Sequence, residues 1–278
     1  MILKKGIYVQ NPLKNEWGVG KVLEDVGNNI YEVFFLEAGF KKFNKKVNPL
    51  VVAENVNEEL FIDRGSKNKE KFTSNSDLIE YFLKNYENGF DGTEYKSRER
   101  EYKDKAKNLA NELLSKSIYE KLLAENDFEE ISKRALKIIN STNLIFPNEK
   151  MSLKDGLVSD VSKEQFSKLL FQLLYGSNEE LSFDSFCKFL ESISSDKWTI
   201  ASYFQFFIHS DNHIFIKPTI TQNISEIVAY DIDYTPKLNW TTYKRIQEFA
   251  NLFKNNISTL NPKDMIDVQS FMWCVSEK

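Results

Sequence analysis

The feature that most constrains this chain is a change of hydrophobic period near residue 55. Before it, short β-rich runs alternate with turn residues: Gly6–Val9, Trp17–Leu23, Ile30–Leu36, Phe40–Phe43 and Val47–Val52, punctuated by Asn11-Pro12, Gly27-Asn28-Asn29 and Ala38-Gly39. Five short strands with frequent turns predict a small barrel closed on itself. Glu32 within Tyr31-Glu32-Val33-Phe34-Phe35 fits a strand with one buried and one partly wet face, and Gly18 and Gly20 predict a bend or bulge. Beyond the switch apolar residues recur every three or four positions and glycine becomes rare, which predicts helices. The expected fold is therefore α+β with β first: a five-stranded barrel over 1–54, a polar linker over 55–75 and an all-α domain over 76–278.

The expected helices cover 77–88, 95–124, 128–141, 162–175, 182–195, 197–208, 218–228, a stretch capped by Asn239, and 264–275. Ser162 with Gln165 reads as a capping box, and Phe166, Leu169, Leu170, Leu173 and Leu174 then form one stripe that ends at Gly176. Tyr243, Ile246, Phe249, Ala250, Phe253 and Ile257 share another face.

Composition decides several exclusions. At 278 residues and 41% hydrophobic, with 22 Phe and 12 Tyr, the chain has material for packed cores and is not disordered. Two cysteines, Cys187 and Cys274, form neither a disulfide framework nor a four-thiolate zinc site, which fits a reducing compartment. No run approaches the roughly 18 to 20 apolar residues of a membrane span, and the first residues lack a signal-peptide core, so a cytoplasmic protein without a membrane partner is expected. The net charge of −4 is unevenly spread. Residues 1–52 hold eight lysines against five acids, a surplus of three, which leaves seven net negative charges on the rest.

The runs Tyr8-Val9-Gln10-Asn11-Pro12, Glu16-Trp17-Gly18-Val19-Gly20-Lys21-Val22, Tyr31-Glu32-Val33-Phe34-Phe35 and Ala38-Gly39 together resemble Tudor/SH3-like barrels, as in CarD-type transcription factors and at the ends of some bacterial DNA helicases. The resemblance covers about 50 residues and implies an interaction module, not a catalyst. The charge surplus of the barrel over an acidic body makes Lys41, Lys42, Lys45 and Lys46 candidate phosphate contacts, with Trp17 or Tyr31 exposed for stacking. Lysines that blunt sheet edges against aggregation are the structural alternative.

In the helical part, three segments mix polar with apolar residues: Ser141–Met151, His209–Pro218 and Asp264–Trp273. They resemble an uncharacterised bacterial helical family with no established activity. Lys217, just before Pro218 at a helix start, is a candidate anion contact. His209 and His213 are weak metal candidates, because Ser-Asp-Asn between them is turn chemistry. Asp264 suits a helix N-cap, and Asp267 a buried partner for Arg245 or for Asp231 or Asp233. Phe271, Met272 and Trp273 read as core. The stretch 198–217 also resembles helical DNA glycosylases, but Lys217-Pro218 stands where their catalytic acid belongs and their Gly-rich hairpin is missing. Phosphate-loop, dinucleotide and nucleophile-elbow motifs are absent.

The expected function is nucleic-acid- or transcription-associated binding, with DNA, RNA or a protein as partner and no cofactor. The barrel would be the interaction module and the helical body, including Lys217, a second surface. An enzyme acting on nucleic acid through Lys217 and a carboxylate (Asp231, Asp233 or Asp267), and a pure protein–protein adaptor, are the alternatives.

Overall fold

The structure, a computed structural model, describes residues 3, 7–25, 30–35, 37–44, 46–47, 49–53, 56, 74–228, 230 and 232–276. Five strands come first: β1 (Tyr8–Gln10), β2 (Val19–Asp25), β3 (Ile30–Phe35), β4 (Gly39–Asn44) and β5 (Val51–Val52). They form one antiparallel sheet in the order β4-β3-β2-β1-β5. Alternation along β3 sends Tyr31, Val33 and Phe35 into a core with Leu3, Val9, Val22 and Leu50. Phe34, on the other face, is also buried and lies 5.1 Å from Phe40.

The two glycines act differently from the expected bend. The register shift falls between Val22 and Glu24, not at Gly20. Gly18 is needed for its φ of +66°, and Gly20 for space, since a Cβ there would sit 2.7 Å from the Phe35 ring and 2.8 Å from Val33. Gly20→Ala should therefore destabilise the β domain by about 1–3 kcal/mol, the usual cost of overpacking. Hydrogen exchange of the β2 and β3 amides in the full chain measures it, and unchanged protection would refute the close-approach account.

Twelve helices follow among the described residues. Of the expected linker only Val56, Ser74 and Asn75 are described, and Ser74 already caps the first helix. They are α1 (Asn75–Asn85), α2 (Thr93–Tyr95), α3 (Glu101–Leu114), α4 (Lys116–Ala124), α5 (Phe128–Asn140), α6 (Pro147–Gly156), α7 (Asp160–Tyr175), α8 (Glu179–Ser192), α9 (Trp198–Ile208), α10 (Pro218–Ile227), α11 (Trp240–Asn256) and α12 (Met265–Val275). A π-turn, Lys96–Arg100, joins α2 to α3. Helix α9 is buried at every position from Trp198 to Phe207, as befits a helix that is apolar all round, and it packs against α3, α7 and α8. Helix α12 closes the other end against α1, α10 and α11. Among the described residues the two cores share none. The β3–β4 turn meets the start of α1, where Asn75 Nδ2 and Ser76 Oγ donate to Glu37.

Three helix expectations need correction. The stretch 95–124 is broken at Ser115, whose ψ of 151° is not helical. The freed carbonyls are satisfied from afar: Tyr175 Oη donates to Leu114 O and Arg134 Nη1 to Leu113 O. The cap of α7 is Ser159, whose Oγ accepts from Ser162 N, so Ser162 lies inside the first turn. Finally, 147–156 is a helix, opened by Pro147 and by Glu149, whose carboxylate accepts from Phe146 N.

Candidate functional site

In the β domain, Lys41 places its ammonium 5.4 Å from the centre of the Trp17 ring. Trp17 is half-buried, with ring edges against Phe35 and Phe43. Lys42 and Lys46 are exposed, although Lys42 stands opposite Glu32 in register. Lys45 lies outside the described residues. Tyr31 is not exposed for stacking: it is 1% exposed, because alternation turns it into the core, where its hydroxyl accepts from Leu3 N.

The helical body brings the three mixed segments together. Asn143 and Leu144 from the first, Lys217 from the second, and Gln269 and Trp273 from the third line one cleft of about 180 Å³. The π-turn and α3 complete it with Arg98, Glu99, Tyr102 and Lys103. Pro218 at the first turn of α10 leaves Lys217 at the helix start, as its sequence suggests. Its ammonium lies 4.5 Å from the Trp273 ring centre and 5.2 Å from that of Phe146. Loss of hydration holds its pKa below the ordinary lysine value, against the field of Glu149. Among the described residues Lys217 makes no ion pair. Trp273, expected in the core, is instead a half-buried wall of this cleft; Phe271 and Met272 are buried.

Behind the cleft lies a buried charge network. Arg100 grips Asp264 with both terminal nitrogens, at 2.7 and 2.9 Å, and reaches Asp267 at 2.8 Å. Asp267 also accepts from Tyr95 Oη and Lys263 N, and Asp264 caps α12 through Ile266 N. Burial opposes ionisation of Asp264, but the Arg100 contacts prevail and keep its pKa below the usual carboxylate value. Lys103, 1% exposed, donates to Glu99 Oε2 and Ser270 Oγ, and desolvation lowers its pKa. The π-turn, a device common at functional sites, presents Glu99 to the cleft and Arg100 to the acids within two residues.

Among the described residues Asp267 is therefore the partner of Arg100, not of Arg245 or Asp233; Asp231 lies outside the described residues. With every Asp267 contact taken up in this network, its pairing with Lys217 for chemistry has no geometric support. The histidines do not converge on an ion site. His209 Nε2 bonds Leu174 O, and His213 Nδ1 lies 2.9 Å from Tyr243 Oη. Tyr243 donates to Gln205 Oε1, so His213 must donate to Tyr243, which assigns its proton to Nδ1.

Reading the sequence missed Arg98, Arg100, Lys103 and Tyr102, and found Gln269 only as a member of a polar segment with no role. One signal was there: Lys103 falls on the α3 stripe with Ala106, Ala110 and Leu114, and a lysine on a buried stripe demands a partner. The profile of a family described as "Protein of unknown function (DUF3553)" matches residues 3–53, the β domain, and leaves the helical body unassigned. No described helix is long and apolar enough to cross a membrane. No curated protein and no solved structure is significantly similar to this chain.

Proposed function

We propose that the protein binds nucleic acid in DNA- or transcription-associated work, through a β domain of the Tudor/SH3-like kind, with the helical cleft as a second contact surface. The observation that carries this reading is the Trp17–Lys41 pair, on a domain that has a positive surplus and also exposes Lys42 and Lys46. An ammonium packed on a ring is a preorganised phosphate contact beside an aromatic platform, the combination that single-strand binders use. The acidic helical body repels a polyanion elsewhere and so favours approach at the β domain.

Affinity for single-stranded and duplex DNA, measured across salt concentrations, tests it. Binding should weaken with salt, and changing Lys41, Lys42 and Lys46 to Gln should reduce the logarithmic salt slope by about one for each phosphate that is no longer neutralised. These positions lie outside the β core, so folding should survive. Absence of binding, or binding indifferent to salt, would overturn the reading.

A further inference from the structure

The geometry points to the Lys217 cleft as a binding site for a phosphomonoester carried on a small hydroxylated body, a sugar phosphate. The cleft holds Arg98, Lys103 and Lys217 against Glu99 alone, a surplus of two positive charges within an otherwise acidic body. That surplus matches the charge of about −1.5 to −2 on a phosphomonoester better than the single charge of a carboxylate. Lys103 is occupied by Glu99 and Ser270, and Arg98 shares Glu94, whereas Lys217 is steadied by two rings and keeps its three donors for a ligand.

A second, independent feature asks for a ligand with its own hydrogen-bond donor. Gln269 lines the cleft, is 4% exposed, and its Oε1 has no hydrogen-bond partner among the described residues. A buried, unsatisfied carbonyl costs about 1–3 kcal/mol, a deficit that a ligand hydroxyl would relieve. Size narrows the choice: about 180 Å³ exceeds a bare phosphate but falls below the roughly 300 Å³ at which drug-sized pockets begin. One sugar phosphate fits these bounds. It is supplied either by a free metabolite or by the 5′-phosphorylated end of a strand, and only the second source rests on the nucleic-acid reading above.

Calorimetric titration of the full chain with ribose 5-phosphate, inorganic phosphate and ribose tests the site. Ribose 5-phosphate should bind saturably and more tightly than phosphate, and ribose should not bind. Lys217→Gln should weaken binding roughly tenfold or more, the scale of a lost charge-assisted hydrogen bond. Its fold should persist, because Lys217 caps α10 without a side-chain hydrogen bond. Gln269→Leu should erase the preference for ribose 5-phosphate over phosphate. A 5′-phosphorylated oligonucleotide that outbinds its 5′-hydroxyl twin only while Lys217 is present supports the strand end; equal binding of the two, with ribose 5-phosphate still bound, supports the free source. No saturable ribose 5-phosphate binding at millimolar concentration, or binding unmoved by Lys217→Gln, would overturn the proposal. The Lys41, Lys42 and Lys46 variant should bind ribose 5-phosphate normally, so failure here and failure of the β-domain reading are told apart.

Discussion

Arg100→Met should destabilise the helical body by about 3–5 kcal/mol, the cost of leaving a buried charge without its partner. Two buried carboxylates, at Asp264 and Asp267, and the partly exposed one of Asp104 lose a guanidinium that is itself only 11% exposed. Lys107 still reaches Asp264 at 3.1 Å, and Tyr95 and Lys263 N still reach Asp267, so the fold is weakened and not abolished. Against a typical total of about 5–15 kcal/mol, this is a large fraction. The sign with pH is also set. Without Arg100 the burial that raises the Asp264 carboxyl is no longer outweighed, so the variant regains stability as pH falls toward about 4. Wild-type Asp264 has a lowered value and behaves the opposite way: its contribution is present above its unfolded pKa and fades in acid. Urea unfolding at neutral pH and near pH 4 should show the gap between the two proteins narrowing. Adding Asp264→Asn and Asp267→Asn to Arg100→Met should recover part of the loss at neutral pH. A variant as stable as wild type at neutral pH would show that Arg100 does not compensate these acids.

The helical body should also lose roughly 3 kcal/mol of stability as pH falls from about 6.5 to about 4, through His213 alone. Burial first, and the neighbouring His209 second, push its pKa from 6.5 down to about 4. The unfolded chain therefore takes up a proton across that window while the folded chain does not, which favours unfolding. Above about 6.5 both states are neutral and the group contributes nothing to the slope. Its neutrality has a structural cause, since the ring stacks beside Tyr243 and its one proton is committed to the Tyr243 hydroxyl. His213→Asn, whose amide supplies a donor near the same place, should flatten the urea midpoint between these pH values. A midpoint that varies with pH as in wild type would count against the assignment, as would a His213 ring resonance titrating near 6.5.

Much of the architecture was legible locally because it is set by local chemistry. The turn residues at Asn11-Pro12 and Ala38-Gly39 and the alternation of Tyr31, Val33 and Phe35 specify strands. Asn239, Asp264 and Pro218 open helices from within one turn of their own positions. The errors share a cause as well. The helix breaks at Ser115 because Tyr175, 61 residues beyond Leu114, satisfies the carbonyl that the break exposes. Gly20 reads as a bend but is a gap for Phe35 across the sheet, and Tyr31 reads as a platform but is core.

The same division governs the site. Sequence alone identified Lys217 at a helix start and three segments unusually rich in polar residues, because residue type and a following proline are local facts. That those segments meet at one cleft, that Arg98 and Lys103 add their charge to it while Arg100 holds the acids behind it, and that Trp273 is a wall and not core, only the tertiary structure decided. The physical reason is that a buried charge takes its partner from whatever the fold brings within about 3 Å, and Arg100 finds Asp264 at a distance of 164 positions along the chain.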